Sequence, residues 1–340
     1  MVRMTVLKPL LVLALLASSP GSGAGLGAGS QLREIAAGLG VDSPPAPPAT
    51  VGKPTSSPWS REAQLRGLPR LADPDATVRF VVLGDIEPGR FWFTRAFPPK
   101  KNAFERQLAA LQREEPAFVL QLGDTVSRGT DANFAELEEK LERVAYRPFF
   151  PVVGNHDRPR THGHSDKSLF NGMFGDGDFH FDLGGCRFIL MDNSNWELTS
   201  AQLAWLERAL DTPRRKIVAM HIPPSYLRGR FAKPKREPKE ASLKVKESVG
   251  WFTEGAIELA ALMTRYRVDR VYFGHLHTLA YADYGGVRYV ISGGGGSPLY
   301  RAPGIPGTKT SHYIVVEAGP AGITERIETM RGKSLTFLKP

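Results

Sequence analysis

Five times in this chain a short apolar run ends in a polar turn. The runs are VRFVVLGDIE at Val78–Glu87, AFVLQLGD at Ala117–Asp124, FFPVVGNHD at Phe149–Asp157, KIVAMH at Lys216–His221 and DRVYFGHLH at Asp269–His277. Short runs of β-branched and aromatic residues stopped by such turns read as buried strands. Side chains just past them collect at the carboxyl edge of a sheet, where open α/β folds build their sites. Between the first three runs lie two segments with helical spacing. Lys101–Glu114 repeats Ala103, Phe104, Leu108 and Leu111, and Asp131–Ala145 keeps Phe134, Leu137, Leu141 and Val144 on one face behind a capping Asp131. This βαβαβ rhythm predicts an α/β fold with a parallel sheet flanked by helices.

The turns carry side chains of one chemical kind: Asp85 and Glu87, Asp124, Asn155 with His156 and Asp157, His221, and His275 with His277. Carboxylate, amide oxygen and imidazole together suit Mn, Fe, Zn or Mg-type divalent ions. In extended chain, residues two apart face the same side, so Asp85 and Glu87 converge, as do His275 and His277. Asp85, Glu87, Asp124, Asn155, His221, His275 and His277 are too many ligands for one tetrahedral ion. They match two ions sharing a carboxylate, the arrangement that clamps both oxygens in phosphoryl transfer.

The ordered set GD…GD…GNHD…H…GHLH resembles the calcineurin-like metallophosphoesterases from about Val78 to Glu317, and QLAWLERAL and KIVAMHIPP resemble the family too. The resemblance implies a two-sheet β-sandwich flanked by helices, four layers in the order αββα, with the site on the carboxyl-end loops. It implies hydrolysis of phosphate mono- or diesters by two divalent metals, Mn favoured, with a hydroxide shared between them. Residue by residue, Asp124 would bridge the metals, Asp85 and His277 would hold the first, and Asn155, His221 and His275 the second. His156 would contact the phosphate or leaving group, and Asp157 would hold His156 in one tautomer. The family's first motif usually reads Asp-x-His, whereas here it reads Asp85-Ile86-Glu87. Glu87 either replaces the imidazole as an oxygen ligand, favouring Mn or Mg, or turns away and leaves a weaker site. Ser127 stands where purple acid phosphatases carry a tyrosine, which argues against a charge-transfer ferric site.

The rest of the sequence is less specific. Residues 1–28 read as an export signal, with Arg3 and Lys8 before the apolar run Leu10–Ala17, too short to span a bilayer. A secreted or periplasmic protein without a membrane span is expected. Residues 29–75 read as a Pro/Gly-rich linker, 76–330 as the metallophosphoesterase domain and 331–340 as a tail. FHFDL and CRFILMD around Gly184-Gly185 predict a hairpin, and Ser200–Leu210 and Gly255–Arg267 predict helices. VRYVISGGG, HYIVVEAG and GITERIET predict one short antiparallel set. Cys186, the single cysteine, excludes an internal disulfide and reads as core.

His162 and His164 read as a solvated loop, with a substrate-facing loop as the alternative; His180 and His312 read as structural. Gly293–Gly296 lacks the Lys-Ser/Thr of a P-loop and reads as a turn near the site. The net charge of +9 fits an anionic substrate, and no basic stripe marks a nucleic-acid surface. The basic segment 227–247 reads as a solvated loop or as a rim for phosphorylated substrates. The expected partner is a phosphorylated small molecule or other phosphoester, with oligomeric state open. A non-catalytic metal- or phosphate-binding protein with a degenerate first site, and a phosphoprotein phosphatase, are the alternatives.

Overall fold

Strand β1 (Val78–Leu83) shows how these runs build a layered core. Phe80 and Val82 point to one side of their sheet, Val81 and Leu83 to the other, and all four are buried. A strand apolar on both faces must be covered on both. The computed structural model describes residues 57–86, 103–145, 148–231, 250–299 and 308–337. The expected export signal, most of the expected linker, Glu87 and most of the basic segment lie outside them.

In chain order, helix α1 (Arg61–Arg66) precedes β1. Then come α2 (Ala103–Leu111), β2 (Val119–Gln121), α3 (Asp131–Val144), β3 (Phe149–Pro151) and α4 (Ser168–Phe174). Next are β4 (Phe179–Leu183), β5 (Cys186–Leu190), α5 (Ser200–Leu210), β6 (Arg215–Met220), α6 (Ala256–Arg265) and β7 (Arg270–Phe273). The chain continues through β8 (Leu279–Tyr284), β9 (Val287–Ser292), β10 (His312–Gly319), β11 (Gly322–Thr329) and β12 (Ser334–Leu335).

The strands form two six-stranded sheets, ordered β12-β11-β10-β1-β2-β3 and β4-β5-β6-β7-β9-β8. β1, β2 and β3 run parallel in the first, and β5, β6, β7 and β9 run parallel in the second. A phenylalanine layer joins the sheets. Phe80 and Phe188 meet edge to face at 5.1 Å, Phe118 and Phe188 at 4.9 Å, and Phe150 stacks on Phe181 at 4.6 Å between centroids. Residues of α2, α3 and α4 cover the outer face of the first sheet, and those of α5 and α6 that of the second. The fold is the expected αββα sandwich. No helix among the described residues is long and apolar enough to cross a membrane.

Four local expectations are corrected. The expected linker, 29–75, extends too far, because Trp59 is buried in the core under the first sheet and Gln64 of α1 accepts a hydrogen bond from the Phe149 backbone at 2.7 Å. The cap of α3 is Thr130, whose hydroxyl accepts from the Asn133 amide, and Asp131 opens the first turn beside it. The last strands do not form one antiparallel set. VRYVIS is β9, parallel to β7 in the second sheet, whereas HYIVVEAG is β10 and lies antiparallel to β1 in the first. Part of the expected tail belongs to the domain, because β12 pairs with β11 and Phe337 is buried.

Asp178 links β4, β5 and α5. Its carboxylate accepts from the Asp192 amide at 2.7 Å and from Gln202 Nε2 at 3.0 Å. Burial raises the Asp178 carboxyl from 3.8 to about 6, against the hydrogen bond from Asp192. A carboxyl raised by folding contributes stability below its unfolded pKa, and that contribution is lost as pH rises through the folded value. Stability should therefore fall by roughly 3 kcal/mol between pH 4 and 7 through this group. Urea unfolding of Asp178→Asn should show that slope flattened; a slope equal to that of the parent protein would remove Asp178 as its origin.

Candidate metal centre

The carboxyl ends of parallel strands in both sheets meet at one edge of the sandwich. Asp85 follows β1, Asp124 follows β2 and Asn155 follows β3; His221 follows β6, and His275 and His277 follow β7. Peptide hydrogen bonds hold these loops together. The Asp85 amide donates to Gly123 O at 3.3 Å, and the Gly274 amide to His221 O at 3.1 Å. Between sheets, the Gly295 amide donates to Gly84 O at 2.7 Å. Asp85, Asp124 and His275 adopt φ of 52°, 54° and 65°, the left-handed region that non-glycine residues seldom occupy. Backbone strain of this kind persists where surrounding structure enforces it and concentrates at sites.

Two donor groups result, Asp124–His221–His275 and Asp85–Asp124–His277, each with its ligand atoms within 4.8 Å of one another. Asp124 belongs to both. Asn155 Oδ1 adds an oxygen to the first group, 3.0 Å from His221 Nε2 and 3.0 Å from His275 Nδ1. Close approach is permitted by glycine. A Cβ on Gly154 would stand 2.2 Å from Asp124 Oδ1, and one on Gly274 would stand 2.7 Å from Asp85 Oδ2.

The donor atoms fit divalent cations. His221 Nδ1 donates to Leu122 O at 2.7 Å and His277 Nδ1 to Pro298 O at 2.9 Å, so each ring turns the lone pair of Nε2 inward. His221 Nε2 faces His275 Nδ1 at 3.3 Å, two ring nitrogens across one gap. Asp85 Oδ2 is buried and has no hydrogen-bond partner, an acceptor that a cation would satisfy.

The electrostatics agree. Burial works against a charged His221, yet the Asp124 carboxylate and its hydrogen bond raise the ring to about 9. Burial and the His221 charge hold His275 well below the ordinary range. Asp124 lies well below the usual carboxylate range: burial opposes ionisation, and the His221 and His156 charges overcome it. The Asp124 carboxylate thus stabilises one positive charge beside it, on His221, and a second on His275 is opposed.

His156 is half-buried beside this set. Its amide donates to Asp124 Oδ1 at 2.9 Å and its Nδ1 faces Ser127 O at 3.0 Å. The role expected for Asp157 is corrected. Its carboxylate accepts from Thr125 Oγ1 at 2.6 Å, Val126 N at 3.0 Å and Gly154 N at 2.7 Å, stapling the second motif's loop to the third. The Ser127 carbonyl, not Asp157, fixes the His156 tautomer. Neighbouring residues in the tight turn point apart, which sequence adjacency does not reveal.

Three further residues had no motif to mark them. Asn193, after β5, accepts from the His221 and Ile222 amides at 3.1 and 3.0 Å and so sets the end of β6. Trp196 meets His275 edge to face at 5.0 Å. Arg158 is fully buried next to the GNHD turn. The strand end CRFILMDN was the available signal for the first two. His162 and His164 lie on the loop that follows Arg158, and both are exposed. Gly293–Gly296 follows β9 beside the site, where Gly294 O accepts from Gln107. His312 is buried and bonded to Ser292 Oγ at 3.0 Å.

This fold and this donor set define a metal-dependent phosphoester hydrolase. The model of the calcineurin-like phosphoesterases matches residues 78–279, and the chain belongs to that family. A nucleotide pyrophosphatase/phosphodiesterase of Hordeum vulgare is 24% identical over 288 residues, covering 71% of this chain and 74% of the barley protein. Among solved structures, a purple acid phosphatase from yellow lupin (Lupinus luteus) seeds superposes with a TM-score of 0.58 at 17% identity. That match covers 79% of this chain but only 55% of the lupin chain. A dimetal phosphatase from Danio rerio superposes with a TM-score of 0.51 at 12% identity over 77% of this chain and 99% of its own.

Proposed function

We propose that the protein hydrolyses phosphate mono- or diesters at a two-cation centre. The observation that carries this reading is the shared Asp124. One buried carboxylate stands in two donor groups, with Asp85 and His277 on one side and Asn155, His221 and His275 on the other. Bound there, divalent cations supply Lewis-acid charge for the phosphate oxygens and acidify the attacking water. The carboxylate-rich Asp85–Asp124–His277 group favours Mn or Mg, and Glu87, beyond the described residues, would add a further oxygen.

The chain's own groups do the rest. Asp124 remains ionised and keeps the negative charge that the cations need. His156, with Nδ1–H turned to the Ser127 carbonyl, gives up the Nε2 proton of its imidazolium form to the departing ester oxygen. Asp157 keeps the turn that carries His156 fixed against the loop of Asp124. The barley relative's name supports phosphodiester or pyrophosphate substrates.

The test uses the full chain, stripped of metal and returned to Mn²⁺, with p-nitrophenyl phosphate and bis-p-nitrophenyl phosphate as paired substrates. Turnover should vanish on chelation and return with the cation, and the diester-to-monoester ratio places the substrate class. Folded protein inert with Mn²⁺, Mg²⁺, Zn²⁺ and Fe²⁺ on both esters would favour a binding protein instead.

A further inference from the structure

Beside the centre stands a wall that metal binding does not require. Trp196 lies in the loop after β5 with φ of 71°, a strained conformation for a bulky residue. Its indole stacks on the His162 imidazole, with centroids 5.1 Å apart and planes 18° off parallel. The same indole meets His275 at 5.0 Å and 88°. The stack therefore runs outward from one of the candidate metal ligands, and His162 at its outer end is exposed.

The wall is firmly built. Trp196 Nε1 donates to Thr161 O at 2.9 Å. Arg158 donates from Nη1 to Gly163 O at 2.6 Å and to Asn195 Oδ1 at 2.7 Å, and from Nη2 to Ser194 O. His164 meets Asn195 Nδ2 at 3.0 Å and Glu197 Oε1 at 3.0 Å. A buried guanidinium thus ties the loop after β3 to the loop after β5, and the two rings are held in register before any ligand arrives. Preorganised side chains bind without the cost of ordering them.

We infer that the His162–Trp196 stack is the specificity wall for a planar aromatic group carried by the phosphoester. This rests on the phosphoesterase reading of the adjoining centre. The near-parallel rings favour another flat ring laid on the open face of His162. A compact cation would call for rings arranged around it as a box, and here the two rings touch each other instead. Stacking of this kind accepts any base with a π-face and strengthens binding by about 5- to 150-fold per ring.

The test is calorimetric binding to the Mn²⁺-loaded full chain of the non-hydrolysable methylenephosphonate analogue of thymidine 5′-monophosphate and of the matching deoxyribose phosphonate, which lacks the base. The parent protein should bind the nucleotide about 5- to 150-fold more tightly. His162→Ala should bring the two affinities to within about twofold, and His162→Phe should restore the difference. His162 is exposed, so unchanged melting temperatures should accompany both variants. Equal affinities in the parent protein, or a preference that survives His162→Ala, would overturn the inference. Binding needs no turnover, so this outcome stands apart from that of the hydrolysis assay.

Discussion

Asp124→Asn should leave the purified protein without stoichiometric metal and lower phosphoester turnover by more than about 10³-fold. The expectation follows from the double membership of one carboxylate. Any other ligand in the two donor groups serves one side, whereas Asp124 serves both. The amide keeps the shape but removes the charge that two cations would share. A second effect accompanies the first. In the metal-free protein, where Asp124 raises His221 to about 9, the two form a buried ion pair at 3.2 Å, and removing Asp124 takes away the charge that holds the proton on the ring. The metal-free variant should therefore be less stable than the metal-free parent by about 3–5 kcal/mol. Elemental analysis and thermal unfolding read the two effects separately. Full metal content with ordinary turnover would mean that Asp124 is not the shared ligand.

His156→Ala should behave differently. Its ring is held by the Ser127 carbonyl, outside both donor groups, so metal content should stay at the parent level. kcat should fall by about 10²–10⁴-fold, the usual contribution of a positioned proton donor. The size of the loss should depend on the leaving group. p-Nitrophenolate departs without a proton and hides part of the defect, whereas an alkoxide needs the proton and exposes all of it. An alkyl ester should show the larger deficit. An equal deficit on both esters, or metal lost with the ring, would assign His156 to another task.

Much of the centre could be read from residue order because each turn repeats one design. Asp85, Asp124, Asn155, His221, His275 and His277 all follow apolar strands, and parallel strands deliver such ends to one edge. Sheet membership was harder to read. VRYVIS and HYIVVEAG look alike as apolar runs, yet they pair in different sheets, because pairing is decided by partners distant in sequence. Helix α1 was missed because six residues are too few to display a period. Asp157 was misjudged because adjacency in a chain says little about direction in a turn. Trp196 and Arg158 belong to no motif; loop contacts alone bring them to the site.

Asp85, Asp124 and Asn155 hang from the first sheet, and His221, His275 and His277 from the second, so the candidate ligands straddle a seam. The rings of Phe80, Phe118, Phe150, Phe181 and Phe188 set the width of that seam. They act as a caliper for the ion site. A core substitution that lets the sheets drift by a fraction of an ångström would be felt at the rim as weakened ion affinity. In return, a captured ion pins the two halves of the sandwich together at their open edge.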